Sequence, residues 1–144
     1  MNSLSISPSQ IDGVVFVSQT PDYLIPATSS MLQSRLKIPN EAVAFDINYG
    51  CSGYIYGLFQ ASLLISSGSC NKVLVCAGDT TTSFVNSKDR STSMLFGDAG
   101  SATIVQNSST KKENILNIVG RKVKLLIIHG NQQKQHAQKM KRGI

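Results

Sequence analysis

The stretch that decides the fold is residues 42–58, AVAFDINYGCSGYIYGL. Its first part, 42–47, is a short apolar run after a turn, which is typical of a buried strand. From Gly53 onward, apolar residues recur at helical spacing with others between them, which predicts a helix that is buried nearly all round. Cys51 therefore lies at a strand-to-helix turn, where Gly50 and Gly53 permit a tight backbone path.

This position makes Cys51 a candidate nucleophile. The thiolate is the reactive form of cysteine, and the partial positive charge and free N–H groups of a helix N-terminus stabilise it. The same N–H groups could hold an oxyanion during acyl transfer. The alternative is that Cys51 is one more small buried apolar residue, as free cysteines often are. Position and flanking glycines leave both interpretations open.

Further apolar runs at 14–17, 72–77 and 102–106 predict additional strands. Pro26 fits the start of a helix that ends before Pro39, and Gly68 is placed to cap the helix that follows Cys51. Because strands alternate with helices along the first part of the chain, we expect a layered α/β architecture.

Three motifs then occur in a recognisable order: TPDYLIPAT at 20–28, DINxxCSGxxYGL at 46–58, and DRST at 89–92 running into LFGDAGSA at 95–102. Together they resemble the ketoacyl-acyl-carrier-protein synthase III family, which are condensing enzymes of the thiolase fold. The resemblance covers about residues 11–107. It identifies Cys51 with the active-site cysteine of that family.

The resemblance implies a partial thiolase-like fold, a layered α/β structure with a mixed, mostly parallel central sheet. It also implies an acyltransferase that takes an acyl group from acyl-coenzyme A onto Cys51. Condensation with malonyl-acyl-carrier protein would follow, in fatty acid or related biosynthesis. No cofactor is implied, since acyl-coenzyme A is a substrate. The implied partners are acyl carrier protein and a second copy of the chain, or a related subunit.

Three more positions match family residues that bind substrate. Arg90 matches an arginine that contacts the adenine end of coenzyme A, although it could equally be a surface arginine paired with a carboxylate. Phe96 matches a residue that lines the acyl pocket; its alternative role is plain core. Ile25 matches a residue that reaches across a dimer to shape the partner's acyl pocket, and its alternative is a hydrophobic staple on the following helix.

The decarboxylating half of the reaction has no counterpart in the sequence. In the family it needs a histidine and an asparagine from the C-terminal half of a duplicated fold. The two histidines of this chain, His129 and His136, do not lie in a sequence that matches that motif. We therefore expect weak or absent turnover from this polypeptide alone. The competing hypothesis is a non-catalytic truncated remnant or an interaction subunit.

Charge divides the chain into two parts. Residues 1–110 carry five basic and seven acidic side chains, whereas residues 111–144 carry nine basic side chains and one acidic. We predict a thiolase-like domain at 1–107 and an unassigned basic tail at 108–144, in which 115–119 and 123–128 could form strands. Such a tail fits a truncated or frameshifted continuation. It has no aromatic residue to stack on bases, so nucleic-acid binding is not expected.

Composition excludes several other classes of protein. The 144-residue chain is 41% hydrophobic but has no apolar run long enough for a transmembrane helix, so no membrane association is expected. Residues 1–8 lack the features of a signal peptide, and we expect a cytoplasmic location. The three cysteines have no metal-ligand spacing, so we predict reduced thiols and no metal.

Overall fold

The structure, a computed structural model, describes residues 6–86, 88–107, 115–118 and 121–130. Within these ranges it contains two α-helices, six strands and two short 3-10 helices. In chain order, the strands and α-helices are β1 (Gly13–Val17), α1 (Thr28–Arg35), β2 (Val43–Ile47), α2 (Gly53–Ser66), β3 (Lys72–Asp79), β4 (Ala99–Asn107), β5 (Ile115–Ile118) and β6 (Arg121–Gly130). The 3-10 helices span Pro8–Gln10 and Thr81–Ser83.

The strands form one mixed sheet in the order β2-β1-β3-β4-β6-β5. β1 is parallel to both β2 and β3, whereas β4, β6 and β5 continue the sheet with antiparallel pairings. β1 occupies a central position because its side chains are apolar on both faces, as expected for a buried parallel strand. The predicted layered α/β architecture with a mixed sheet is confirmed.

The two helices cover opposite faces of the sheet. α2 packs on β1, β3 and β4, and its fully buried Ala61 lies over four fully buried strand side chains, Val15, Val73, Val75 and Val105. α1 packs on β1 and β2, and a second cluster lies on its side of the sheet, with Ile11, Val14, Ile38, Ala42, Leu74 and Ile104. Alternate residues of β1, β2, β3 and β4 therefore pack into two separate cores, one on each face of the sheet.

The prediction that α2 is buried nearly all round is wrong. Ile55 is 64% exposed and Tyr56 49% exposed, and Phe59 is also exposed. Only one side of α2 faces the sheet, with Gly53, Gly57, Leu58, Ala61, Ser62 and Ile65 buried, and the opposite side faces solvent. α2 ends as predicted, because Gly68 adopts a left-handed conformation with φ of +80°.

Strands continue beyond the predicted domain boundary at residue 107. β6 pairs with β4 along its length, for example Ile128 with Ala102, and so extends the same sheet. The division at 107 stays a prediction. The parts of the tail at 108–114, 119–120 and 131–144 lie outside the described residues, as do residues 1–5.

A carboxylate joins α1 to β2. The backbone N–H groups of Thr28 and Ser29 each donate to the side chain of Asp46, at 2.8 Å in both cases. Asp46 therefore supplies the N-terminal cap that the helix lacks in its own sequence, since its N-cap residue is Ala27. This contact fixes the start of α1 against the strand that leads to Cys51.

Neither helix that the structure describes combines the length and the apolar content needed to cross a membrane.

Candidate active site at the Cys51 turn

Cys51 lies in the turn between the end of β2 and the start of α2, and its side chain is exposed. The alternative that it is a small buried core residue is therefore wrong. Within the turn, the N–H of Gly53 donates to the carbonyl of Gly50 at 2.8 Å. Because that amide is engaged, it is not free to hold an oxyanion at Cys51.

Two glycines allow α2 to lie directly against β1. A methyl group added at Gly53 would lie 2.6 Å from Cγ1 of Val17, and one added at Gly57 would lie 2.7 Å from Cγ2 of the same residue. Both distances are below normal carbon contact, so any side chain would push the helix away from the strand. The Val17 side chain thus sets the position at which α2 begins.

A polar contact and a ring contact further fix the first turns of α2. The hydroxyl of Tyr54 lies 2.9 Å from the hydroxyl of Thr103, which is fully buried on β4. Tyr49, in the turn before Cys51, contacts Tyr56 with ring centroids 4.9 Å apart. These contacts hold the residues on both sides of Cys51, which favours a defined geometry for the thiol.

The other two cysteines have a different environment. Cys70 is buried and its thiol donates to the carbonyl of Asp12 at 3.4 Å; burial, with a smaller contribution from the charge of Asp12, raises its pKa. Burial alone raises the pKa of Cys76 to about 11. Both thiols therefore remain protonated at neutral pH.

Selective alkylation follows from this difference. At pH 8, we expect iodoacetamide to place one carbamidomethyl group on the folded chain, at Cys51, because Cys76 deprotonates only near pH 11. Peptide mapping after short exposure measures the sites. In urea, all three thiols should react. Modification of Cys70 or Cys76 in the folded chain at a rate similar to that of Cys51 would contradict the raised pKa values of these two thiols.

The remaining three predicted site residues are on the surface. Ile25 is 89% exposed, and Phe96 is 51% exposed. The alternatives of a helix staple for Ile25 and of plain core for Phe96 are therefore wrong. Arg90 is also exposed. In the part of the chain that the structure describes, no hydrogen bond joins Cys51 to any of the three, and their substrate-binding roles stay predictions.

The loop around Arg90 is held by its neighbouring carboxylate. Asp89 accepts hydrogen bonds from the hydroxyls of Ser91 and Thr92, each at 2.6 Å. These bonds lower the pKa of Asp89 to about 2, and the bond from Ser91 makes the largest contribution. A little further along, Asp98 accepts hydrogen bonds from the N–H and the hydroxyl of Thr82 and so stabilises the local turn.

Sequence reasoning did not predict the hydrogen bonds of two carboxylates, Asp46 and Asp79. Asp46 caps α1, and Asp79 accepts several hydrogen bonds from residues 18–20. Each partner is at least 17 residues away in sequence. The sequence motif that contains Asp46 was recognised. A single sequence, however, does not indicate which distant amides will donate hydrogen bonds to a carboxylate.

An open cleft of about 700 Å³ lies on the α1 side of the sheet, on the opposite face from α2. Phe16, Leu32, Cys76 and Ala102 form its apolar wall, and Asp79 and Asp98 lie at its edge. None of the four predicted site residues lines it. Among the described residues, no group of three His, Cys, Asp or Glu side chains is arranged to hold a metal ion.

Comparison with known proteins shows that this chain is similar to one family. The sequence model of 3-Oxoacyl-[acyl-carrier-protein (ACP)] synthase III matches residues 45–122, more than half of the chain, starting just before the Cys51 turn. The beta-ketoacyl-[acyl-carrier-protein] synthase III of Chlamydia caviae is 42% identical over 113 residues, which are 78% of this chain and 33% of that protein.

Solved structures agree with the sequence comparison. A crystal structure of 3-oxoacyl-(acyl-carrier-protein) synthase III superposes with a TM-score of 0.74 at 40% identity, covering 80% of this chain and 34% of that one. The priming beta-ketosynthase of the R1128 polyketide pathway superposes with a TM-score of 0.71 at 31% identity, covering 76% and 32%. The chain spans about a third of the length of these relatives. On the match of the family model, the chain belongs to the 3-oxoacyl-[acyl-carrier-protein] synthase III family.

Proposed function

We propose that this chain carries the acyl-accepting cysteine of a 3-oxoacyl-[acyl-carrier-protein] synthase III type acyltransferase. The observation that carries the proposal is the exposed thiol of Cys51 at the turn before α2, inside the segment that matches the family. An exposed cysteine near a helix N-terminus is suited to attack a thioester carbonyl. The thiolate forms the new thioester bond, and coenzyme A leaves as its own thiolate.

The proposed substrates follow from the same family. Acyl-coenzyme A is the donor, with Arg90 at the adenine end and Phe96 in the acyl pocket. Ile25 extends to the acyl pocket of a partner chain, a role that suits its 89% exposure. Malonyl-acyl-carrier protein is the proposed partner of the condensation that follows. No cofactor is needed for these steps, and a cytoplasmic location remains an expectation of the sequence.

Isotope exchange tests the acyl-transfer step by itself. The chain is incubated with a short acyl-coenzyme A and labelled free coenzyme A, without any malonyl donor. We expect label to enter the acyl-coenzyme A pool, because reversible acylation of Cys51 releases and recaptures coenzyme A. Cys51→Ser should give no exchange above the buffer rate. A folded parent chain that gives no exchange would overturn the proposal.

A second candidate function is that of an interaction subunit. It is favoured by the exposed apolar side of α2 and by the position of β2 as the outermost described strand at one edge of the sheet. Such surfaces pair with a second copy of a chain or with a related subunit. Size-exclusion chromatography with light scattering distinguishes a defined dimer from a monomer. A defined dimer without exchange activity would favour this second function.

A further inference from the structure

One carboxylate oxygen accepts four hydrogen bonds near the C-terminal ends of β1 and β3. Oδ1 of Asp79, the last residue of β3, accepts from the hydroxyl of Ser18 at 3.0 Å and from the N–H of Gln19 at 2.8 Å. It also accepts from the N–H of Thr20 at 3.2 Å and from its hydroxyl at 3.0 Å. The Thr20 hydroxyl in turn accepts from the N–H of Thr80 at 2.9 Å. Asp79 therefore fixes the three residues that follow β1.

The segment that Asp79 fixes also contacts the Cys51 turn. A methyl group added at Gly50, the residue before Cys51, would lie 2.9 Å from Oε1 of Gln19, so the Gln19 side chain borders the turn directly. In addition, the N–H of Ser18, the residue before Gln19, donates to the carbonyl of Ile47 at the end of β2, at 3.2 Å. Asp79 is thus linked to Cys51 through Gln19 and Gly50.

We infer that Asp79 is a positioning residue for Cys51, acting through Gln19 and the end of β2. The Gln19 side chain is exposed, so it keeps its place against Gly50 because its backbone is held and not because it is buried. Without the carboxylate, four donors at residues 18–20 lose their shared acceptor. The Cys51 turn then loses its contact with the Gln19 side chain, and the thiol of Cys51 samples more orientations. The part of this inference that concerns acyl transfer rests on the proposed function.

Asp12 provides a matched control at the other end of the same two strands. Its carboxylate accepts from the N–H of Asn71 at 2.7 Å, from the Asn71 side chain at 3.2 Å and from the N–H of Lys72 at 2.8 Å. It therefore ties the start of β1 to the start of β3, as Asp79 ties their ends. Loss of either carboxylate should lower the free energy of unfolding to a similar extent.

The test compares Asp79→Ala, Asp79→Asn and Asp12→Ala in the full chain. Urea unfolding gives the folded fraction of each variant. Hydrogen exchange of the peptide covering residues 48–56 reports order at the turn, and intact mass follows adduct formation with a short acyl-coenzyme A. In Asp79→Ala, we expect amide exchange in this peptide to be about tenfold faster and acyl-adduct formation per folded molecule about tenfold slower.

The controls decide whether the effect is positional. Asp79→Asn keeps an acceptor oxygen at the same place and should restore most of both readouts, while Asp12→Ala should change neither. The inference is overturned if Asp12→Ala matches Asp79→Ala, if Asp79→Ala leaves the exchange of residues 48–56 unchanged, or if asparagine restores nothing. If the parent chain takes no acyl group, the proposed function fails, and hydrogen exchange still decides the role of Asp79.

Discussion

Replacing Cys51 with serine is expected to prevent the acyl adduct that the proposed function predicts for the parent chain with acyl-coenzyme A. The rate should fall by at least about 100-fold, because a serine hydroxyl without an adjacent base is a far weaker nucleophile than a cysteine thiolate. Intact-mass spectrometry over time measures the rate. Because the side chain is exposed, the substitution should leave the urea midpoint unchanged.

Cys76→Ala is the control for this experiment. It removes a thiol whose burial raises its pKa to about 11, and it should therefore leave the adduct rate per folded molecule unchanged. A Cys51→Ser chain that still gains an acyl group at the parent rate would show that another residue is the acceptor. The assignment of Cys51 would then be wrong, whatever the family resemblance implies.

The second large effect is expected at Gly57, where α2 crosses β1. A methyl group there would lie 2.7 Å from Cγ2 of Val17 and 3.2 Å from Cγ1 of Val75. Gly57→Val adds two further methyl groups to this contact and should lower the free energy of unfolding by about 3 kcal/mol. Gly57→Ala should lower it by about 1 kcal/mol, because the higher helix propensity of alanine offsets part of the clash. Urea denaturation measures both values.

Two further variants separate the clash from a general effect of losing glycine. Gly97 has no heavy atom within 4 Å of the position of an added methyl group, so Gly97→Val should change stability little. Val17→Ala makes room for the side chain at position 57, and the cost of Val17→Ala plus Gly57→Ala should be lower than the sum of the single costs by about 1 kcal/mol. Strict additivity would contradict the described packing of α2 on Val17.

Much of the fold could be predicted from local patterns. The apolar runs predicted the strands near Val14 and Val73, and the cap at Gly68 followed from the conformational freedom of glycine. The placement of Cys51 at a strand-to-helix turn was also correct, because the change from a buried strand to helical spacing occurs there. Such features depend only on neighbouring residues, so a single sequence contains them.

Features that depend on distant residues were not predictable in this way. The exposure of Ile55 and Tyr56 depends on what covers the outer side of α2, and apolar spacing predicted burial instead. Asp46 acquires its partners only when α1 packs on β2, and Asp79 only when β1 pairs with β3. A carboxylate in a sequence does not reveal which amides will donate to it. The substrate roles of Arg90 and Phe96 came from resemblance and not from the contacts of these residues.

The central claim is that Cys51 in this chain accepts an acyl group. The most direct test incubates the folded chain with a short acyl-coenzyme A, records the intact mass and maps the modified peptide. We predict one acyl group per chain, on the peptide that contains Cys51, and its release by neutral hydroxylamine, which cleaves thioesters. A folded chain that gains no mass, or gains it on another residue, would contradict the claim.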